Sequence, residues 1–214
     1  MSVRHHPSEA LLLDYAAGSL SADRAHLLSA HVGACPACRE QVRFAEAIGG
    51  ALLSGIEPAQ MNAGALDRAL TAIDQPRPER RLDLRQPRPD WITVPDAVLD
   101  AVAKRRRWAA PGVWVAQISR DRASGRSTYL LRVAAGMSVP PHGHRGTEMT
   151  VILKGAFEDR GEIFAAGDFA EVAGEVEHQP KVTRDGECIC LICADAPLIP
   201  RDWVGRIFQP FVRI

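Results

Sequence analysis

The sequence of 214 residues has no long apolar run and no excess of charge of either sign. A helix needs about 20 consecutive apolar residues to span a bilayer, and no segment comes near that length. The first residues also lack the apolar core of a signal peptide, so we expect a cytoplasmic protein with no membrane partner. Basic and acidic side chains number 26 each, so the overall charge gives no reason to expect direct binding to nucleic acid.

Cysteine is scarce, and its count of five is odd, which argues against a framework of disulfides. In a reducing compartment such cysteines favour metal or thiol chemistry. They form two clusters, Cys35 with Cys38 and Cys188 with Cys190 and Cys193. In the second cluster Cys188 and Cys190 share one face of a predicted strand and Cys193 lies on the other. We expect buried core positions there, with an oxidisable pair at Cys188 and Cys190 as the alternative.

Residues 1–73 carry apolar side chains at helical spacing and predict four short helices. Ser8 and Ser21 are candidate N-caps of the first two helices, Gly18 ends the first and Pro36 begins the third. The last helix runs from about Ala59 to Ile73. Helices this short need a common core and benefit from a metal that holds them together. We expect the apolar residues of the later helices to face that core, namely Val42, Ala45, Ile48, Leu52, Leu66, Leu70 and Ile73.

The remainder of the chain predicts a linker and then an all-β domain. Residues 74–107 are rich in proline and arginine, and the prolines remove the backbone donors that a helix or a central strand needs. Residues 108–214 contain short runs of β-branched and apolar residues separated by glycine-bearing turns, typical of a sandwich or barrel. The predicted fold class is therefore α+β multidomain.

The helical part contains a metal-binding pattern, His31-x3-Cys35-x2-Cys38. The imidazole lies near the end of one helix and the thiols at the start of the next, so the three can converge on one ion. Imidazole and thiolates suit zinc, but a closed structural site takes four ligands. The spacing leaves open whether His5 or His6 is the fourth.

This pattern, with a histidine upstream in the opening segment Arg4-His-His-Pro-Ser-Glu-Ala, resembles the zinc-binding anti-sigma domain of the ChrR family. The resemblance implies that His6, His31, Cys35 and Cys38 bind zinc. It also implies that the domain wraps an extracytoplasmic-function (group IV) sigma factor and blocks the surfaces that contact core RNA polymerase.

A second pattern, Gly136-x5-His142-x-His144-x3-Glu148-x6-Gly155, matches the first signature of cupins. Residues two apart on a strand share a face, so His142 and His144 can bind one metal with Glu148 from the next strand. The resemblance adds His178 as a further ligand and implies a jelly-roll barrel. The second cupin signature departs from the usual pattern at Ala173, Glu175 and Val182. These ligands suit zinc, iron, manganese or nickel, and the resemblance favours zinc.

Together the two resemblances imply an anti-sigma factor with no catalytic residue, in which the cupin receives the signal. The resemblance, which extends over nearly the whole chain, implies release of sigma on oxidative stress, from singlet oxygen or organic hydroperoxides. The alternative is a metal-dependent cupin enzyme, a dioxygenase or isomerase, with an N-terminal tethering domain. A zinc-dependent DNA binder ranks last because the helical part is slightly acidic and lacks a basic recognition helix. The sequence does not fix the oligomeric state.

Overall fold

Helices fill the N-terminal part of the computed structural model, which describes residues 3–75, 106–121, 123–143, 146–174 and 176–196 and the backbone of 199–200. The helices are α1 (Glu9–Ala16), α2 (Ala22–Ala34), α3 (Pro36–Ser54) and α4 (Ala65–Asp74). Most of the predicted linker lies outside the described residues, as do His144, Glu175 and residues 201–214.

The helix boundaries follow the predicted signals in part. The Ser8 hydroxyl accepts a hydrogen bond from the Leu11 amide, and Pro36 occupies the first turn of α3. Ser21 stands at the N-cap of α2, but its side chain makes no capping hydrogen bond. The predicted start of α4 near Ala59 was wrong. That helix begins six residues later, at Ala65. Gly64 before it has a left-handed conformation (φ 75°), which interrupts helical geometry at this point.

The described part of the β-domain contains eleven strands in three sheets. They are β1 (Arg106–Ala110), β2 (Val113–Arg120), β3 (Ser127–Val133), β4 (His142–Gly143), β5 (Thr147–Lys154), β6 (Ala156–Asp159), β7 (Glu162–Ala165), β8 (Phe169–Ala173), β9 (Lys181–Val182), β10 (Cys188–Ala194) and β11 (Ile199–Pro200). The large sheet has the order β1-β2-β3-β10-β5-β8, a second has the order β7-β6-β9, and β4 pairs with β11.

The inner face of the large sheet packs against the β7-β6-β9 sheet and forms the interior of the barrel. Val115, Tyr129 and Ile192 from the large sheet share this core with Phe157 and Phe164 from the small one. Neighbouring residues of the same strands point outward, as strand geometry requires. Every residue of β10 is buried, so both faces of the large sheet are covered.

The outer face of the large sheet is covered by α1 and α2. Leu11, Leu27 and Leu28 form one apolar cluster with strand residues that include Trp114 and Phe169. An ion pair adds to this contact, in which Arg24 Nη2 donates to both oxygens of Asp195 at 2.9 and 2.8 Å. The helical domain and the barrel therefore share a core, which the sequence pattern did not predict.

The prediction that the later helices turn their apolar residues inward was wrong. Val42 is buried, but Leu52 is 69% exposed, and α4 has no buried residue within the described chain. Ala45 is partly exposed, and the other exposed positions among those predicted to be core are Ile48, Leu66, Leu70 and Ile73. Helical spacing identified an apolar face correctly, but the rest of the described chain does not cover it.

None of the described helices has the length and apolarity to cross a membrane.

Two candidate metal centres

The first candidate centre lies where the N-terminal segment meets the end of α2 and the start of α3. His6, His31, Cys35 and Cys38 place one ligand atom each within 4.8 Å of all the others. His6 Nδ1 lies 3.4 Å from both sulfurs, and His31 Nε2 lies 3.3 Å from Cys38 Sγ. His5 is not in the group. The four residues that the family resemblance implied are therefore brought together.

These distances fit a tetrahedral zinc ion. Zinc binds thiolate sulfur at about 2.3 Å and imidazole nitrogen at about 2.0–2.1 Å, which puts nitrogen and sulfur ligands about 3.5 Å apart. The observed separations lie within a few tenths of an ångström of that value. Three of the four residues are buried and His6 is exposed, so the protein encloses the site except on the side of His6.

In the absence of a bound cation, burial favours the neutral forms of two of these ligands, His31 and Cys38. Burial lowers the pKa of His31 to about 4, which keeps the imidazole neutral and able to bind metal. Burial and the neighbouring Cys35 raise the pKa of Cys38 to about 12, which favours the neutral thiol. A bound zinc ion reverses the second effect, because a coordinating thiol loses its proton outright.

Residues of the barrel reach this centre. His31 Nδ1 lies 2.8 Å from the Gly167 carbonyl and donates to it, since a carbonyl can only accept. The His31 ring also meets Phe169 edge to face. His5, the alternative ligand that the sequence left open, donates from Nδ1 to Asp168 at 3.1 Å. Sequence reasoning missed these contacts, because they join residues over 130 positions apart.

The second candidate centre lies inside the barrel. His142, Glu148 and His178 offer ligand atoms within 4.8 Å of one another, and all three are buried. The backbones of His142 and His178 pair in an antiparallel bridge, and their rings lie 4.4 Å apart. Glu148 enters from β5, as predicted, and His178 follows Gly174, a turn glycine at φ 77°. The fourth predicted ligand, His144, lies outside the described residues.

Each of these three side chains has a partner that the sequence did not identify. His142 Nδ1 donates to the Pro140 carbonyl at 2.8 Å, and His178 Nδ1 donates to Asp159 at 3.0 Å. These hydrogen bonds orient both imidazoles through Nδ1, an arrangement typical of metal-binding histidines. The Tyr129 hydroxyl hydrogen-bonds to Glu148.

Burial also controls protonation in the barrel centre. It lowers the pKa of His142 to about 4 and raises the pKa of Glu148 to about 8, an increase that the Tyr129 hydrogen bond opposes. The histidine is therefore a neutral ligand at pH 7. The carboxylate loses its proton readily only when a nearby cation stabilises its charge.

A cavity of about 300 Å³ adjoins this centre. Its walls are mostly apolar, and its polar groups include His142, Glu148, Asp159 and His178. Among the described side chains, one oxygen of Asp159, Oδ1, is buried without a hydrogen-bond partner. The cavity can accept a small molecule with an apolar body and a polar end.

Two cysteines line the same cavity. The sulfurs of Cys188 and Cys190 lie 3.6 Å apart on the inner face of β10. Cys193 belongs to the outer core beneath the helices, as the alternation of strand faces predicted. All five cysteines are free and buried.

Comparisons with known proteins find matches to two segments of the chain and to the chain as a whole. Residues 8–39 match a family described as a putative zinc-finger, and residues 96–196 match one described as the ChrR cupin-like domain. The anti-sigma-E factor ChrR of Cereibacter sphaeroides is 37% identical over 221 residues, with both chains covered completely. The crystal structure of Rhodobacter sphaeroides SigE in complex with the anti-sigma ChrR matches with a TM-score of 0.73 and 34% identity, covering 91% of this chain and 100% of that one.

The fold and the two centres define a two-part protein, a helical domain with a histidine and cysteine metal site joined to a cupin-like barrel. The predicted fold class is thereby confirmed. The sequence identity extends over the full length of the relative and therefore shows more than a shared fold. The chain belongs to the ChrR family. It has a metal site in its N-terminal helical part.

Proposed function

We propose that this protein is an anti-sigma factor that sequesters an extracytoplasmic-function (group IV) sigma factor in the cytoplasm and releases it on oxidative stress. The observation that carries the proposal is the 37% identity to an anti-sigma factor along the whole chain. Sigma factors act on RNA polymerase, so the cytoplasm is the compartment in which such a protein works. The proposed domains are 1–73 for binding sigma, 74–107 for the linker and 108–214 for sensing.

An exposed apolar surface on α3 and α4 supports this proposal. Phe44, Ile48 and Leu52 repeat every four residues along α3, and Leu66 and Leu70 do the same on α4. All are exposed, and residues at this spacing form one stripe on a helix. Contiguous exposed apolar surface marks interaction sites. We name these five residues the apolar stripe and assign it to the sigma factor.

Zinc at His6, His31, Cys35 and Cys38 would hold the N-terminal segment, the end of α2 and the start of α3 together. The ion thereby fixes the direction in which α3 leaves the body of the protein. Binding free energy at such a small site is also folding free energy, so loss of zinc loosens the base of the helix that carries the stripe.

The barrel centre would bind a second divalent metal through His142, His144, Glu148 and His178. Nitrogen and oxygen ligands do not select zinc over iron, manganese or nickel. The metal supplies Lewis acidity or redox chemistry beside the cavity, and this is where we place the receiver of the oxidative signal, such as singlet oxygen. The same cavity would suit a cupin enzyme. However, the relative that aligns along the entire chain is a regulator, which favours a sensor role for the barrel.

A pair of substitutions on matched leucines tests the proposal. Leu52→Asp puts a charge in the apolar stripe, and Leu13→Asp puts one on α1, where Leu13 is 59% exposed outside the stripe. We expect Leu52→Asp to abolish co-purification with an extracytoplasmic-function sigma factor of the same organism and Leu13→Asp to preserve it. Equal binding by both variants contradicts the assignment of the stripe, and no binding by the unmodified protein contradicts the function.

A further inference from the structure

One turn of the barrel lies against the N-terminal zinc site. The turn Ala166–Asp168, here called the interdomain turn, joins β7 to β8. The barrel holds it firmly, since the Gly167 amide donates to Ile152 at 2.8 Å and the Ala166 amide donates to Gly155 at 3.0 Å. Its position is therefore set by the barrel, and its Gly167 carbonyl and Asp168 carboxylate face the helical domain.

The turn contacts one zinc ligand directly. The Gly167 carbonyl accepts the Nδ1 proton of His31, whose side chain is 0% exposed. This hydrogen bond fixes the tautomer and the ring orientation, and it directs Nε2 to the Cys38 sulfur at 3.3 Å. Gly167 has a φ of 95°, which favours glycine, and a Cβ there would lie 2.9 Å from a methyl group of Val3.

The turn also fixes the segment that precedes a second ligand. Asp168 Oδ1 accepts the backbone amides of Arg4 at 2.7 Å and His5 at 3.2 Å, and Oδ2 accepts His5 Nδ1. In return, the Phe169 amide donates to the His5 carbonyl at 3.0 Å. Asp168 is 2% exposed, so these bonds form away from bulk water. They hold the chain immediately before His6.

We propose that the interdomain turn positions two of the four zinc ligands, so that the zinc affinity of the helical domain depends on the barrel. The turn orients His31 through the Gly167 carbonyl and His6 through Asp168. Mutation of the groups that orient the ligands of a metal typically lowers metal affinity about 10- to 100-fold. This inference rests on the proposed zinc site and deepens the proposed function.

The turn also connects the two metal centres by a short route. Strand β8 begins directly after Asp168, and four residues further on Val172 pairs with Glu148 of the barrel centre. A displacement of β8 at Glu148 would therefore reach the interdomain turn along a single strand, next to the carbonyl that orients His31.

Two carboxylates that join the domains provide a matched comparison. Asp168→Ala removes the contacts to the N-terminal segment, and Asp168→Asn retains one acceptor oxygen in a side chain of the same shape. Asp195→Ala removes the pair with Arg24, which also joins α2 to the barrel but lies apart from the interdomain turn. The measurements are zinc transfer from the full-length protein to a chromophoric chelator and the absorption spectrum after cobalt substitution. Absorption from thiolate to cobalt reports Cys35 and Cys38, since the barrel group offers nitrogen and oxygen.

We expect Asp168→Ala to lower zinc affinity about 10- to 100-fold and to shift the cobalt spectrum. Asp168→Asn should fall between Asp168→Ala and the unmodified protein, and Asp195→Ala should match the unmodified protein in both measurements. If Asp168→Ala does not fold, Asp168→Asn alone carries the comparison with Asp195→Ala.

Unchanged affinity and spectrum in the folded Asp168 variants overturn the proposal. An equal loss in Asp195→Ala overturns it as well, because any loosening of the domains would then suffice. Failure of the proposed function looks different, since the unmodified protein would then bind zinc normally and still not capture sigma.

Discussion

Replacing Leu28 by alanine measures the core that the helical domain shares with the barrel. The Leu28 side chain is fully buried in a cluster with Trp114 and Phe169 of the large sheet. The substitution removes three carbon atoms, worth about 2.4 kcal/mol at about 0.8 kcal/mol each, and the cavity left behind adds to that loss. We expect the free energy of unfolding to fall by about 3 kcal/mol, within the 2–5 kcal/mol typical of buried leucines.

Urea unfolding of the zinc-loaded protein gives this quantity. With a denaturant slope of about 2 kcal/mol per molar, a loss of about 3 kcal/mol lowers the midpoint by about 1.5 M. Circular dichroism follows the helices, and tryptophan fluorescence, to which the buried Trp114 contributes, follows the barrel. Leu13→Ala on the exposed side of α1 is the control, and its effect should stay within about 0.5 kcal/mol.

The reasoning predicts that both signals shift together. If Leu28→Ala lowered the helical transition and left the barrel transition unchanged, the two domains would not share a core in solution. A midpoint equal to that of Leu13→Ala would likewise refute the packing of α2 on the sheet.

Three further predictions concern the metal centres and the thiols. Cys35→Ser should lower the zinc content of the protein by about one equivalent and release the bound sigma factor, whereas Cys193→Ser should do neither; retention of the complex by metal-free Cys35→Ser would contradict the role of zinc. In metal-stripped protein, Glu148 keeps its proton to about pH 8 in the folded state, against an ordinary pKa of 4.5, so its contribution to stability is lost as the pH rises between these values. Glu148→Gln should flatten that decline in urea titrations from pH 5 to 8.5, and parallel curves for the two proteins would argue against it. If Cys188 and Cys190 form the oxidisable pair, the double variant Cys188→Ser, Cys190→Ser should no longer release sigma when an oxidant is added to the purified complex, and an unchanged response removes the idea.

The sequence determined the features that depend on local spacing. His31, Cys35 and Cys38 lie within eight residues across the junction of α2 and α3, so local chain geometry brings them together. Glu148 on β5 follows from strand alternation in the same way, and so does the separation of Cys193 from Cys188 and Cys190. Turn glycines and prolines located most of the elements, and the late start of α4 shows that such signals place a boundary only to within several residues.

Only the tertiary structure decided what lies on each apolar face and around each ligand. The same helical spacing put Leu28 in a core and left Leu52 exposed, because periodicity shows that a face is apolar but not what covers it. The choice between His5 and His6, and the partners Asp159 and Asp168, depend on chain segments far apart in sequence. The packing of the helices on the sheet brings these segments together, and no local sequence pattern encodes a contact between residues so far apart in the chain.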